Sequence, residues 1–272
     1  MKMKGKNKTE EVENAASNYL QSIKKGIMSE NRFSVDQRFN DYLDRMIEEY
    51  KESINSGKTF YRARIYEEPD VYEKWRNGVP SSELFKGYSE KDSGPNPNPM
   101  RPGRCNPKGI SYLYAATDPD TAILEVCNKR NAVVSVAKIM ITKEITAVNL
   151  ANDIIFGKGA CHSYEEFKQF ELEMAVRAQI ATEMNRTFFD EGEYLLTQYI
   201  CEYIKKKGVD CVLYQSASHA GDDFEPREGS SAGNNIVIFN REVYDVIGSD
   251  LYLINNIQIK KTEFKNELQQ KE

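Results

Sequence analysis

The chain has 272 residues, of which 37 are Lys or Arg and 42 are Asp or Glu, so its formal net charge is −5. This acidic balance argues against direct nucleic-acid binding, because neutralising phosphates needs clustered basic side chains. Its two histidines leave little room for a multi-histidine metal site, and its 40% of hydrophobic residues are enough for a folded core.

The cysteines also argue against metal and disulfide chemistry. No two have CxxC spacing and their number is odd, so we expect no metal site, no disulfide framework and a reducing, cytoplasmic location. The basic N-terminus lacks an apolar segment behind it, and the most apolar run, residues 132–142, is too short to span a bilayer. We therefore expect a soluble protein without membrane contact. The five cysteines are Cys105, Cys127, Cys161, Cys201 and Cys211.

Two helices are predicted at the start of the chain, over residues 11–27 and 36–54, after a polar and frayed segment 1–10. Asp36 is the expected N-cap of the second helix, and the sequence Asn55-Ser56-Gly57 its stop. Its apolar stripe recurs every three or four residues and consists of Phe39, Leu43, Met46, Tyr50 and Ile54.

The sequence pattern changes after residue 57, from helical spacing to alternation. Residues 59–66 alternate and are rich in aromatic side chains, which predicts a strand. We therefore predict an N-terminal helical extension over 1–57 and a catalytic domain over 58–272. Residues 67–111 are irregular, and their proline-rich part, 93–103, is a long loop of a kind that often carries function.

The rest of the chain alternates strands and helices without regular βαβ order, which predicts an α+β fold with a mixed or largely antiparallel sheet. Asp118 before Pro119, and Ser163 before Glu166, have the pattern of helix N-caps. Residues 260–272 are predicted to be a solvated tail. Helices are predicted from Pro119 to residue 129, at 163–185 and at 193–207. Strands are predicted at 111–116, 132–141, 145–150, 209–214, 235–239, 243–247 and 251–257.

The segment with the most unusual composition is a basic loop at residues 101–109. Arg101, Arg104 and Lys108 bring three positive charges together, and the glycines and prolines between them let a ligand approach the backbone. Arginine forks suit phosphate oxygens. Glu125 lies in an otherwise apolar helix segment, so periodicity alone leaves it as either a solvent-edge residue or a functional acid.

Histidine chemistry is not expected. His162 precedes a predicted N-cap, which is typical of a loop or surface histidine. His219 lies near Ser216, but no aspartate partner can be placed for a catalytic triad.

An ordered set of short motifs resembles the RES domain family, which is named for an arginine, a glutamate and a serine. The resemblance covers about residues 58–257, with Cys105 where the family commonly has tryptophan. The motifs are Tyr61-Arg62-Ala63-Arg64, Gly103-Arg104-Cys105-Asn106-Pro107-Lys108-Gly109, Leu113-Tyr114-Ala115, Ala122-Ile123-Leu124-Glu125-Val126, Tyr214-Gln215-Ser216 and Asn235-Ile236-Val237-Ile238-Phe239.

The resemblance implies a fold related to ADP-ribosyltransferases and an activity on NAD⁺. Some members of the family cleave NAD⁺ with water or phosphate, and others transfer ADP-ribose to a protein. Many are toxins that are held in check by an antitoxin with an Xre-type helix-turn-helix region. NAD⁺ is then a substrate, and no cofactor is required.

The chemistry of NAD⁺ cleavage suits this composition. Breaking the nicotinamide–ribose bond builds positive charge on the ribose, so the site needs an anion clamp, a stacking surface and a fixed negative group. Nicotinamide leaves as a neutral molecule, so its departure needs no general acid and no histidine.

With the resemblance, roles follow for the basic residues. Arg62 and Arg104 are expected to clamp the diphosphate or the ribose hydroxyls. Arg64 lies two residues from Arg62 on the same face of a strand, so either of the two is a candidate for the family arginine and for NAD⁺ binding.

The other expected site residues are a tyrosine, a glutamate and a serine. Tyr114 is expected to stack on the nicotinamide or to hydrogen-bond to it. Glu125 is expected to stabilise the oxocarbenium ion, orient a ribose hydroxyl or steer the acceptor. Ser216 is expected to hydrogen-bond to the ribose or to the nicotinamide amide.

Three functions stay open on the sequence. The leading one is an NAD⁺ glycohydrolase or phosphorylase, acting as the toxin of a toxin–antitoxin or defence system. The second is a protein ADP-ribosyltransferase with the same site. The third is a non-catalytic interaction protein that docks a partner through the helices of residues 1–57. The acceptor and the oligomeric state, including a homo-oligomer, are also open.

Overall fold

The computed structural model describes most of the chain in nine segments. They are residues 3–29, 35–67, 71–78, 87–97, 101–127, 129–151, 163–186, 194–217 and 233–255.

Helices flank a mixed sheet in these segments, as the predicted α+β class requires. The helices are α1 (Met3–Ser29), α2 (Gln37–Tyr50), α3 (Val71–Arg76), α4 (Glu90–Ser93), α5 (Pro119–Val126), α6 (Tyr164–Asn185) and α7 (Leu195–Lys206). The strands are β1 (Lys51–Ile54), β2 (Thr59–Ile65), β3 (Leu113–Ala116), β4 (Val133–Ile141), β5 (Ile145–Asn149), β6 (Cys211–Gln215), β7 (Asn234–Ile238) and β8 (Tyr244–Leu253).

Within the described residues the eight strands form one sheet in the order β1-β5-β6-β7-β3-β2-β4-β8. Strands β5 and β6 are parallel, and the other neighbours are antiparallel. This arrangement confirms the mixed, largely antiparallel sheet.

Three predicted helix starts are confirmed by their capping hydrogen bonds. The Asp36 carboxylate accepts from the backbone N–H of Arg38 at 2.9 Å. Asp118 accepts from the N–H of Thr121 at 2.8 Å, with Pro119 in the first helical turn. The Ser163 hydroxyl accepts from the N–H of Glu166 at 3.1 Å.

The N-terminal predictions need two corrections. Helix α1 begins at Met3, so residues 3–10 are helical rather than frayed. Helix α2 ends at Tyr50, and Ile54 belongs to β1 rather than to the helix. The reason is tertiary: residues 51–54 pair with β5, from Lys51 opposite Val148 to Ile54 opposite Ile145, and this ladder replaces the last helical turn.

Two further predictions are also wrong. The segment 67–111, expected to be irregular, contains the short helices α3 and α4. The two strands expected at 243–247 and 251–257 are the single strand β8, whose pairing with β4 shifts register between Lys138 and Ile139. Gly248, with φ of 155°, lies at this irregularity, where the strand continues through a bulge.

The main core lies between one face of the sheet and helices α1, α2, α6 and α7. Phe39 and Leu43 of α2 are fully buried with Ile200 of α7 and Val212 of β6. The N-terminal helices therefore share a core with the sheet. Whether residues 1–57 are a separate unit stays a prediction.

Helix α5 packs separately, through Ala122, against Ala63 of β2 and Ala116 of β3. These small side chains let the helix approach the strands closely. Within the described residues no helix is both long and apolar enough to cross a membrane.

Candidate functional site

A pocket of about 210 Å³ lies where β2 and β3 separate. The two strands share one register pair, Tyr61 opposite Ala116, while β2 pairs along its length with β4 and β3 with β7. Because β2 and β3 share only this pair, they form no continuous hydrogen-bonded ladder, and residues of both strands face a gap between them. The pocket is lined by Tyr61, Arg62, Ala63, Tyr114, Ala115, Ala116, Ala122, Glu125, Val126, Tyr214 and Asn235.

Arg62 bridges the gap between the two strands. Its Nη1 donates to the backbone carbonyl of Tyr114 at 2.9 Å, and its Nε is buried without a partner among the described residues. Burial, with the nearby charge of Arg64, lowers the pKa of Arg62 to about 10, so the guanidinium is charged at neutral pH. The pocket is therefore lined by a cationic side chain.

Tyr114 is fixed by its hydroxyl. The hydroxyl donates to Asn106 Oδ1 at 2.5 Å and accepts from the backbone N–H of Cys105 at 3.0 Å. Burial raises the pKa of Tyr114 well above its ordinary value, so the phenol is neutral. Gly103 is required beside it, because a Cβ there would lie 2.5 Å from Asn106 Oδ1 and 2.6 Å from the Tyr114 hydroxyl.

Glu125 is exposed on α5 and lines the pocket. Its Oε1 accepts from Ser216 Oγ at 2.5 Å and from Asn235 Nδ2 at 2.8 Å. Its Oε2 accepts no hydrogen bond within the described part of the chain. The side chain therefore lies at the solvent edge of the helix, one of the two alternatives that periodicity left open, and its carboxylate is held by two hydrogen bonds.

Ser216 reaches the site from the end of β6. It is fully buried, and its backbone N–H donates to the carbonyl of Gly233 at 3.0 Å. Its hydroxyl donates to the Glu125 carboxylate, so in this structure Ser216 helps to hold that carboxylate in place.

Arg104 lies behind the pocket rather than in its lining. It donates to the carbonyl of Met184, and its guanidinium carbon lies 5.3 Å from the ring centroid of Tyr214, a pocket residue. Thr197 Oγ1 donates to the Arg104 carbonyl at 2.7 Å and so anchors the loop to α7. Arg101 and Lys108 are exposed in the same loop and do not line the pocket.

Arg64 points to a different groove. Its Nη2 donates to the carbonyl of Gly94 at 2.6 Å, and it lines a volume of about 840 Å³ with Lys91 and Arg241. Of the two candidate arginines, Arg62 is the one that the structure places with Tyr114 and Glu125.

Sequence reasoning assigned no role to several residues of the site. Asn235 and Asn106 bond directly to Glu125 and Tyr114, and Tyr61 and Tyr214 add aromatic walls. For Asn235 a signal was present, since an asparagine in an otherwise apolar strand is unusual.

His162, His219 and Cys161 lie outside the described residues, so the predictions about them stay predictions. In the segments that are described, no group of three or more His, Cys, Asp or Glu side chains could hold a metal ion.

Comparison with solved structures found a chain of the crystal structure of the M. tuberculosis MbcT–MbcA toxin–antitoxin complex. The two chains are 13% identical, the match covers 77% of this chain and 92% of that chain, and the TM-score is 0.37. No curated protein matches the chain in sequence.

A family model gives the stronger result. The model of the RES domain matches residues 75–251, which is more than half of the chain. The matched part carries Tyr114, Glu125 and Ser216, while Arg62 precedes it. Since this match includes the carboxylate, the serine that holds it and the strands between them, the chain belongs to the RES domain family.

Proposed function

We propose that the chain cleaves the nicotinamide–ribose bond of NAD⁺. The observation that carries this proposal is the Glu125 carboxylate, which is held through one oxygen by Ser216 and Asn235 in a pocket that also contains Arg62. Membership of the RES domain family supports NAD⁺ as the substrate.

The reaction needs little covalent participation by the protein. The C1′–N bond breaks, its electron pair goes to the nicotinamide nitrogen, and neutral nicotinamide leaves. Positive charge then develops on the ribose, where the fixed charge of Glu125 stabilises it. Water or phosphate bonds to C1′, and with water a proton is released to solvent.

Other pocket residues bind and orient the substrate. Arg62 lines the pocket and holds the diphosphate or the ribose hydroxyls through its guanidinium. Tyr114 packs its ring against the nicotinamide end, because its hydroxyl is already engaged with Asn106 and Cys105. The pocket volume of about 210 Å³ suits one end of a dinucleotide rather than the whole molecule.

A cellular role follows from this activity. Loss of NAD⁺ would make the chain the toxin of a toxin–antitoxin or defence system in the cytoplasm, with an Xre-type antitoxin as its partner. Inducing the wild-type chain should lower cellular NAD⁺ and stop growth. The E125Q chain should do neither at the same protein level, and equal growth arrest with both chains would contradict the role.

A protein ADP-ribosyltransferase is the second candidate. Leu124 and Val126 flank Glu125 and are 40% and 41% exposed, so an apolar surface adjoins the carboxylate. A protein acceptor could cover this surface while it receives ADP-ribose.

One incubation separates these functions. Purified protein is mixed with NAD⁺ labelled in the adenosine part, with and without phosphate, and the products are separated by chromatography. Free ADP-ribose identifies hydrolysis, a phosphorylated ADP-ribose that requires phosphate identifies phosphorolysis, and label on protein identifies transfer. No release of nicotinamide under any condition, including with a cell lysate as a source of acceptors, would contradict all three and favour a non-catalytic interaction protein.

A further inference from the structure

Asn235 is an unusual residue for its place in the fold. It is 5% exposed in β7, followed by the fully or almost fully buried Ile236, Val237 and Ile238. Asparagine is depleted in strands, and a buried amide destabilises the fold unless it is hydrogen-bonded. A local preference that is broken in this way often marks a functional position.

Its amide supplies the second of two donors to one carboxylate oxygen. Asn235 Nδ2 lies 2.8 Å from Glu125 Oε1, and Ser216 Oγ lies 2.5 Å from the same atom. The donors come from two strands, β7 and the end of β6, which are paired with Tyr214 opposite Asn235. A single hydroxyl would leave the carboxylate free to swivel about that bond, whereas two donors on separate strands fix its orientation.

We infer that Asn235 is a positioning residue, which fixes Glu125 so that Oε2 faces the substrate. This inference rests on the proposed cleavage of NAD⁺ and assigns a role to a residue outside the arginine, glutamate and serine of the family name. The cost of a buried amide in β7 is offset by an oriented carboxylate at the pocket.

The neighbouring asparagine provides a matched control. Asn234 lies on the same strand, opposite Gln215, and only its backbone makes hydrogen bonds among the described residues, to Thr117. Removing the Asn234 amide leaves the hydrogen bonds of Glu125 intact, whereas removing the Asn235 amide breaks one of them.

The kinetic test compares N235A, N235D and N234A with the wild type for nicotinamide release. A hydrogen bond to a charged group contributes about 1.5–3 kcal/mol, so kcat of N235A should fall roughly 10- to 100-fold, with KM for NAD⁺ changed less than about threefold. N235D should lose more, because it sets a second carboxylate against Glu125 while conserving shape. N234A should keep the wild-type kcat.

A double-mutant cycle shows whether Asn235 acts through Glu125. Adding N235A to E125Q should cost little further activity, because the carboxylate to be oriented is already gone. A loss of kcat in the double variant equal to the product of the two single losses would overturn the inference, as would wild-type kcat in N235A and N235D.

A spectroscopic measurement separates this inference from the proposed reaction. With glutamate labelled at the carboxyl carbon, the Glu125 resonance is identified by its absence in E125Q. It should move in N235A and N235D and stay in place in N234A. Absence of nicotinamide release with this pattern would reject the reaction but keep the positioning of Glu125, and an unmoved resonance in folded N235A and N235D would reject the positioning.

Discussion

Arg62 on β2 and Glu125 on α5 bring opposite charges to one pocket. The guanidinium bonds to a backbone carbonyl and keeps Nε without a partner, and the carboxylate keeps Oε2 without one, among the described residues. A substrate with a phosphate at one point and a developing cation at another matches this pair of charges. This pair of charges supports the proposed cleavage, in which fixed charges rather than proton transfer stabilise the transition state.

The first prediction decides between the two arginines of β2. R62K keeps the charge but removes Nε and the planar fork, so we expect NAD⁺ to bind roughly 10- to 100-fold more weakly. R64K changes a side chain that bonds to the Gly94 carbonyl outside the pocket, so its effect should be small. Affinity is measured by calorimetry in the E125Q background, where turnover is slow. Weaker binding in R64K than in R62K would assign the role to Arg64.

The second prediction concerns Gly103. In G103A the new Cβ would press on Asn106 Oδ1 and the Tyr114 hydroxyl, so the protein should lose about 1–3 kcal/mol of unfolding free energy. Chemical denaturation measures the loss. G94A is the control, because the nearest atom to its Cβ would be 3.5 Å away. Equal stability of the two variants would show that Tyr114 has room to move.

At the site, the sequence predicts which residue types take part better than it predicts which atoms they contact. Tyr114, Glu125 and Ser216 follow from the family resemblance, and the structure places all three at the site. The basic loop predicted a clamp, but Arg104 bonds to the Met184 carbonyl and stands behind Tyr214. Which way an arginine side chain points depends on helices distant in the chain, so local composition does not reveal it.

The position of Glu125 depends on how α5 is started and packed. Asp118 and Pro119 fix the first turn of the helix, and Ala122 lies against Ala63 and Ala116, which keeps the helix close to the gap between β2 and β3. The cap was readable from the sequence because it is local. The gap between β2 and β3 was not readable from the sequence, because it depends on the pairing of β2 with β4, which is distant in the chain.

The third prediction tests the packing of α1. Leu20 is 4% exposed in the main core and Met28 of the same helix is 61% exposed. L20A should reduce the free energy of unfolding by about 2–5 kcal/mol, and M28A by less than about 0.5 kcal/mol. Chemical denaturation followed by circular dichroism measures both. A loss in L20A no larger than in M28A would mean that α1 contributes little to the fold.

Element types were predicted better than element ends. The strand at 59–66 is confirmed as β2, as its alternating pattern predicts, and the helix at 163–185 is confirmed as α6, as the capping pattern at Ser163 predicts. The second helix was extended to Ile54 because its apolar spacing continues into β1, where β5 decides the conformation. Pairing with distant strands overrides a local pattern in such places.

The chain as a unit combines a net negative charge with a pocket that is lined by Arg62 and Glu125. A net charge of −5 gave no indication of Arg62, whose charge is partly buried. The shortage of histidines is consistent with the proposed reaction, whose leaving group departs without a proton. The N-terminal helices and the sheet share one core, which also includes the pocket residue Tyr214.

The most direct measurement is the rate of nicotinamide release by the wild type and by E125Q, with D120N of the same helix as the control. The wild type should release one nicotinamide for each NAD⁺ consumed, and D120N should match it. E125Q should be slower by at least about 100-fold, the loss expected when a fixed group that stabilises developing charge is removed. Release by folded E125Q at a rate close to that of the wild type would contradict the electrostatic role of Glu125.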